Sequence, residues 1–251
     1  MILSVSNQKG GVGKTTSAIN ISAGLALKDK KVLLLDLDPQ GNATSGLGIE
    51  KDNMGIYDVM INGEDIENVV MKTDVKNLYI IPSNIDLSGA TVEMVSLKSR
   101  EMLLKNALSK IKNDYDYIII DCPPSLSMLT INSMTTANSI LVPIQCEYYA
   151  LEGLSDLLHT VNLVQERLNP ELAMEGVVFT MFDARTNLSL QVVENVKENL
   201  NQTIYKSIIP RNVRLAEAPS YGKPINLYDP KSAGAESYML LAEEVINKGE
   251  E

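Results

Sequence analysis

The sequence predicts an α/β fold: a doubly wound, mainly parallel sheet of about seven or eight strands flanked by helices. Three observations carry that expectation. Short apolar runs rich in Ile, Val and Leu recur along the 251 residues. They are continuous rather than alternating, the pattern of strands covered on both faces. Between them lie segments with apolar residues three and four apart, and strand–helix alternation of this kind favours parallel pairing.

In chain order, the expected strands are Ile2–Ser6, Val32–Asp38, Leu78–Pro82, Tyr117–Asp121, Ile140–Ile144, Gly176–Phe182 and Ser207–Pro210. A first helix is expected over Lys14–Asp29, directly after a glycine-rich stretch. A second covers Ser99–Asn113, with Met102, Leu103, Asn106, Ala107 and Lys110 at helical spacing. Leu151–Asn169, Ser189–Gln202 and Ala233–Gly249 read as three more. Leu47–Asn77 has weak periodicity and is expected to be a surface excursion of short helices. No repeat, low-complexity block or Pro/Gly linker divides the chain, so residues 1–251 are expected to form one domain.

Composition narrows the function. Apolar residues make up 45%, enough for a well-buried core. The formal net charge of −10 argues against a protein that binds polyanions with its whole surface, so any nucleic-acid contact must come from a local basic patch. Two cysteines, Cys122 and Cys146, are too few for a disulfide framework or a four-thiolate metal site, and both read as small buried residues of a reduced, cytoplasmic chain. The sequence opens directly on a strand, so no signal peptide is expected. No apolar run approaches the ~18 residues of a membrane span.

The chemistry is concentrated in "NQKGGVGKTTS", Asn7–Ser17. Gly10, Gly11, Val12, Gly13, Lys14, Thr15 and Thr16 follow a strand and open a helix, the context a phosphate-binding P-loop requires. Glycines let backbone N–H groups close on phosphate oxygens, and the helix N-terminus adds its positive end. Lys14 should reach the β- and γ-phosphates, Thr15 should ligate Mg²⁺ and Thr16 should meet the α-phosphate. Lys9 or Gln8 stands where the usual motif has its first glycine, so the loop is a variant. "YIIIDCPPS" ends a strand on Asp121, a Walker B arrangement that holds Mg²⁺. "LLLDLDPQG" ends another on Asp36 and Asp38, which strand alternation sends to one face. One of the two is free to meet nucleotide or water, and Asp36 is either that group or a buried support.

"KGGVGKTT", "DLDPQGNATSGLG", "YDYIIIDCPPSL" and "IIPRNVRLAEAPSYGKPI" together resemble the ParA/Soj branch of the deviant Walker A ATPases, over Met1 to about Asn247. The resemblance implies an ATP hydrolase that uses ATP and Mg²⁺. Lys9 would be the signature lysine, reaching across an ATP-sandwich homodimer to the partner's phosphates, whereas the residue by itself leaves open the alternative of a solvated loop lysine. Asp38 would position the attacking water or read the γ-phosphate, and Gly10 would sit at the dimer interface. Pro210 and Asn212 would border the adenine, and Met181 either packs near the base or belongs to the core. The resemblance further implies sequence-independent binding of double-stranded DNA by the ATP dimer, hydrolysis stimulated by a ParB-like centromere-binding protein, and a nucleoid-associated cytoplasmic location.

Arg185–Lys231 holds seven basic and four acidic residues, a surplus of three in a chain of net charge −10. "DARTN" and "RNVRLAEAPS" look like the family's DNA-facing segments, which makes Arg185 and Arg214 the first candidates. Lys197, Lys223 and Lys231 follow, and Arg211 serves either DNA or the nucleotide pocket. Related families fit less well. MinD-type division regulators end in a basic membrane helix, whereas this chain ends in the acidic "LAEEVINKGEE". Nitrogenase-iron-protein relatives need cysteines for a shared cluster, and bacterial tyrosine kinases carry a tyrosine-rich tail. Here only Tyr148 and Tyr149 adjoin, as packing or nucleotide-edge residues, and His159 has no acid–base partner in a motif. A ParA-like scaffold that positions a cargo other than DNA would carry the same ATP site.

Overall fold

The computed structural model describes residues 1–147, 150–200 and 202–249. Tyr148, Tyr149 and the terminal Glu250 and Glu251, to which the sequence assigns packing and an acidic tail, lie outside the described residues. Eight strands form one sheet: β1 (Ile2–Val5), β2 (Val32–Asp36), β3 (Met71–Lys72), β4 (Leu78–Ile81), β5 (Tyr117–Asp121), β6 (Ser139–Gln145), β7 (Ala173–Phe182) and β8 (Ile204–Pro210). Their order is β3-β4-β2-β5-β1-β6-β7-β8. Every neighbouring pair is parallel except β3 with β4. The helices are α1 (Lys14–Leu27), α2 (Asn42–Gly46), α3 (Ile66–Val69), α4 (Leu87–Glu93), α5 (Leu103–Leu108), α6 (Met128–Thr136), α7 (Ala150–Arg167), α8 (Asn187–Asn199), α9 (Val213–Glu217), α10 (Ile225–Tyr228) and α11 (Ala233–Gly249).

The central strands are mainly apolar because both faces are covered. Leu33, Leu35, Ile118, Ile120, Val142 and Phe179 pack on one side against Leu104 and Leu108 of α5, Met134 of α6, Leu157 of α7 and Val196 of α8. Leu3, Leu34, Ile119, Leu141 and Val178 point to the other side, against Ile21 and Leu25 of α1 and Tyr238, Leu241 and Val245 of α11. Period-two alternation makes that division.

Two expectations need correction. Leu47–Asn77 is not a surface excursion. Ile56, Val59, Met60, Ile66 and Val69 are buried in the first core, and Met71–Lys72 adds the antiparallel edge strand. Its helical turns are too short for a period to show, one of them a single π-helical turn at Asp58–Asn62. Ser99–Asn113 is broken into α5 between two 3₁₀ turns. Its buried stripe is Leu104, Leu108 and Ile111, while Asn106 and Lys110 are exposed. No helix among the described residues is long and apolar enough to cross a membrane.

β1 lies between β5 and β6, so the chain winds in opposite directions from it, and the crevice at the carboxyl ends of its strands is where such sheets bind ligands. That crevice depends on α1 keeping its place. Gly24 of α1 lets α11 approach so closely that a Cβ there would lie 2.8 Å from Ala242 Cβ. Gly24→Val is expected to cost about 1–3 kcal/mol through overpacking, read as a lower urea midpoint at unchanged slope.

Candidate nucleotide site

The loop from Ser6 to Gly13 joins β1 to α1. Gly11 (φ 74°) and Gly13 (φ 87°) hold left-handed backbone that a side chain would strain. The loop is fastened from two neighbouring strands. Asn7 Nδ2 donates to Pro143 O (2.8 Å) and Asn7 Oδ1 accepts from Lys9 N (3.0 Å). Thr180 Oγ1, on β7, donates to Val12 O (2.8 Å). The N-cap position of α1 is Gly13, with no side-chain cap, so the first N–H groups of the helix face the loop's hollow.

The two lysines take different courses. Lys14 is buried, and its Nζ donates to Lys9 O at 2.7 Å. Burial lowers its pKa, while Asp121, Cys122 and Asp38 act to raise it. The Lys9 side chain instead leaves the hollow. Its stem lies on α7, where a Cβ on Gly153 would come within 2.9 Å of Lys9 Cε. Beside it, Gln8 Nε2 donates to Asp156 Oδ2 (2.9 Å). Lys9 and Gly10 line a small cavity of about 70 Å³ with Gln145 and Glu147.

Three carboxylates meet at the ends of β2 and β5. Asp36 is fully buried and occupied, accepting from Thr44 N (2.8 Å), Thr44 Oγ1 (2.7 Å) and Asp38 N (3.2 Å). Burial pushes its carboxyl up to about 6 against those hydrogen bonds. Asp38 lies beyond the end of β2, so the turn to Gly41 directs it rather than the pleat, and it accepts only from Gln40 N (3.0 Å) among the described side-chain bonds. Asp121 is fully buried, and neither carboxylate oxygen has a hydrogen-bond partner among the described residues. Burial and then the charge of Asp36 raise its pKa well above the usual carboxylate range, although the nearby Thr15 hydroxyl favours the ionised form. A buried carboxylate without donors, beside a threonine hydroxyl, fits a hard cation. No group of three His, Cys, Asp or Glu among the described residues makes a metal cage by itself, so such a cation would complete its shell from phosphate and water.

Behind Thr16 opens a cavity of about 350 Å³ lined by Thr180, Met181, Pro210, Asn212 and Tyr238. The structure thus brings the expected base-side residues together. Met181 holds a left-handed backbone (φ 51°), strained for its residue type, and Asn212 caps α9 by accepting from Arg214 N (2.8 Å). Sequence reasoning missed Thr180 and Tyr238, whose hydroxyl bonds Ser17 Oγ (3.0 Å), because no spacing marks them. A larger cavity of about 520 Å³ lies by Met1, Lys112 and Asn138, at the opposite end of the strands.

The basic candidates are all exposed. Arg185 binds Asp183 with two nitrogens (2.7 and 2.8 Å), holding that carboxyl down at about 2. Arg214 reaches Glu217 (2.9 Å) and Asp229 (3.5 Å). Lys197 sits in the last turn of α8, ten residues and ~15 Å along the helix from its start near Arg185. Lys223 flanks α10, and Lys231 precedes α11. Arg211 is an exposed residue that lines the base-side cavity. His159 is exposed on α7, and Cys122 and Cys146 are free and buried.

The raised carboxyls make a pH prediction. Folded Asp121 holds its proton more tightly than the unfolded chain does, so stability falls as pH rises from the unfolded carboxylate range through the raised folded value. Asp121→Asn keeps the shape and removes that cost. The nucleotide-free variant is expected to melt higher than wild type at neutral pH, by about 2–4 °C per kcal/mol relieved, with the gain vanishing near about pH 4. Thermal scans at the two pH values check it, and an equal or lower melting point at neutral pH contradicts it.

A family model described as an AAA domain matches residues 1–174. The chain is 58% identical over 250 residues to the sporulation initiation inhibitor protein Soj of Bacillus subtilis, covering 99% of each. It is 53% identical over 249 residues to the chromosome partitioning protein ParA of Myxococcus xanthus, covering 98% of this chain and 88% of that one. A solved structure from Mycobacterium smegmatis, described as cobyrinic acid a,c-diamide synthase with bound ATP analog and magnesium, superimposes with a TM-score of 0.88 at 36% identity, over 99% of this chain and 95% of that one. On this identity and coverage, the chain belongs to the ParA/Soj family of chromosome-partitioning ATPases.

Proposed function

We propose that residues 1–251 act as one ATPase domain that segregates DNA: an ATP-sandwich homodimer that binds duplex without sequence preference and is released by hydrolysis. The observation that carries the nucleotide part is the buried Asp121, with two unpartnered oxygens beside Thr15 and Lys14. Magnesium, when bound, neutralises charge on the phosphates. Thr15, Asp121 and Asp38 would hold it. Glycines Gly10, Gly11 and Gly13, with Val12 and the first turn of α1, cradle the phosphates through backbone N–H groups. Lys14 exchanges the Lys9 carbonyl for phosphate oxygens, and Thr16 meets the α-phosphate. Met181, Pro210 and Asn212 enclose the base.

Asp38 accepts a proton from, or orients, the attacking water, while Asp36 keeps the turn from Asp38 to Gly41, the switch turn, in place. Lys9, whose side chain leaves its own hollow, serves the partner's nucleotide. A ParB-like protein stimulates turnover, and the protein works in the cytoplasm on the nucleoid. Arg185 and Arg214 would trade their carboxylate partners for DNA phosphates, with Lys197, Lys223 and Lys231 adding weaker contacts. Two copies of a weak surface bind by avidity, so dimerisation gates DNA binding.

Three substitutions separate the roles. Lys14→Ala is expected to abolish ATP binding, since the loop loses its charged partner for phosphate. Lys9→Ala should still bind ATP but lose ATP-dependent dimerisation, hydrolysis or both. Asp38→Ala should slow turnover by about 10²–10⁴-fold while retaining an ATP-bound dimer. Size exclusion with ADP or ATP and a phosphate-release assay read all three. Unchanged ATP affinity in Lys14→Ala would discard the loop assignment.

For DNA, Arg185→Ala and Arg214→Ala should each weaken binding of random duplex, with the ATP dimer intact and affinity falling steeply with salt. If both hold duplex as tightly as wild type at ~100–200 mM salt, this face is not the DNA surface.

A further inference from the structure

Near the end of β7, one face of the strand changes from apolar to polar. Val178 is packed in the core on the α1 side, and Thr180, two residues on, shares its face. Thr180 is 1% exposed. A β-branched side chain is stiff at χ1, so the strand aims the hydroxyl with little rotamer freedom to lose. Its target is the phosphate loop, where Thr180 Oγ1 donates to Val12 O at 2.8 Å. The methyl lies against the next residue: a Cβ on Gly13 would be 3.6 Å from Thr180 Cγ2.

The bond falls on a peptide unit that glycine leaves free to turn. Gly13 has a φ of 87°. Glycine adopts either sign of φ, so the unit between Val12 and Gly13 has two orientations of similar backbone cost. Beyond it the chain is committed, since Gly13 O accepts from Ser17 N at 2.8 Å as the first rung of α1. The C=O and N–H of a trans unit point to opposite sides. With Val12 O drawn to β7, Gly13 N–H faces away from β7. The reversed unit would turn a carbonyl oxygen, rather than a donor, towards an anion in the loop, and such a loop holds anions by its N–H groups.

The strand end that carries the hydroxyl is a fixed point. Thr180 O accepts from Cys146 N of the neighbouring chain (3.4 Å), and Phe182 O accepts from Arg211 N (2.9 Å). Between them Met181 is held at a φ of 51°, a strain that persists only where the surroundings impose it. The bond from Lys14 Nζ to Lys9 O, by contrast, ends on a long side chain that phosphate can recruit.

We propose that Thr180 is a positioning residue for the nucleotide's phosphates: its hydroxyl selects the orientation of the Val12–Gly13 peptide that offers the Gly13 N–H to them. The proposal rests on the nucleotide reading above. The test uses the full chain, with displacement of a fluorescent ATP analogue by ATP, by inorganic tripolyphosphate and by adenosine. Thr180→Val keeps the shape and leaves the buried Val12 carbonyl without its donor, so ATP and tripolyphosphate should bind about tenfold or more weakly, with adenosine unchanged. Thr180→Ser keeps the donor and should bind all three as wild type does, whereas Thr180→Ala should lose what Thr180→Val loses. The serine and alanine pair isolates the hydroxyl without the methyl, and decides the matter where the valine variant does not fold. In ATPase assays of Thr180→Val, KM for ATP should rise about tenfold while kcat falls by less than about threefold. Equal ATP affinity in Thr180→Val and wild type, or in Thr180→Ala and Thr180→Ser, overturns the proposal. So does a loss for adenosine as large as that for tripolyphosphate, which would assign the hydroxyl to the base or to the fold at large. A fall in kcat at unchanged KM would move Thr180 to the chemical step, with the same consequence. Wild type that binds no ATP fails the nucleotide reading and the proposal with it, whereas wild-type binding that is indifferent to the hydroxyl fails the proposal alone.

Discussion

Backbone pairing of β5 with β1 on one side and β2 on the other is the constraint on which the site depends. It sets Val5 opposite Asp121, and Asp121 opposite Asp36. Parallel strands share one direction, so all three chains leave the sheet at the same end and at the same level. Backbone pairing therefore brings the phosphate loop, the switch turn and the Asp121 carboxylate to one end of the sheet. A slip of one residue would turn Asp121 to the other face and put a charge into the helical layer.

That convergence concentrates charge where water is excluded. Three carboxylates and one lysine share the crevice, and burial acts against the charged form of Asp36, Asp121 and Lys14. The arrangement handles the three acids differently. Thr44 satisfies Asp36 with two hydrogen bonds, the switch turn gives Asp38 one, and Asp121 receives none among the described residues. A polar group left without donors in the interior is unfavourable in isolation. Here it sits beside Thr15 and Lys14, where a bound cation and phosphates would restore the balance.

The surroundings of the loop separate its two lysines by position rather than by type. Lys14 is turned inward, where its Nζ donates to the Lys9 carbonyl. Lys9 lies on the outer wall because Gly153 leaves room for its stem on α7. The base-side cavity is built from the far ends of β7 and β8, with Met181 in strained backbone. Strain of this kind persists only when the neighbouring structure holds it. Arg185 and Arg214 show the reverse case: each is already neutralised by a carboxylate two or more residues away, so their charge is less available than a residue count suggests.

The sequence by itself determined what local physics encodes. Continuous apolar runs specified the buried strands, the glycine–lysine–threonine stretch specified the phosphate loop, and Asp121 was legible as a carboxylate at a strand end. Segments whose turns are shorter than one hydrophobic period escaped it. The burial of Ile56–Val69 and the edge strand β3 follow from what packs against them, not from their own pattern. The choice between Asp36 and Asp38 was likewise open in the sequence, since strand alternation treats them alike. Tertiary structure decided which of the two is held: β2 ends at Asp36 and Thr44 lies against that carboxylate, because hydrogen-bond partners eight residues away in the chain become neighbours only once the intervening turn has folded.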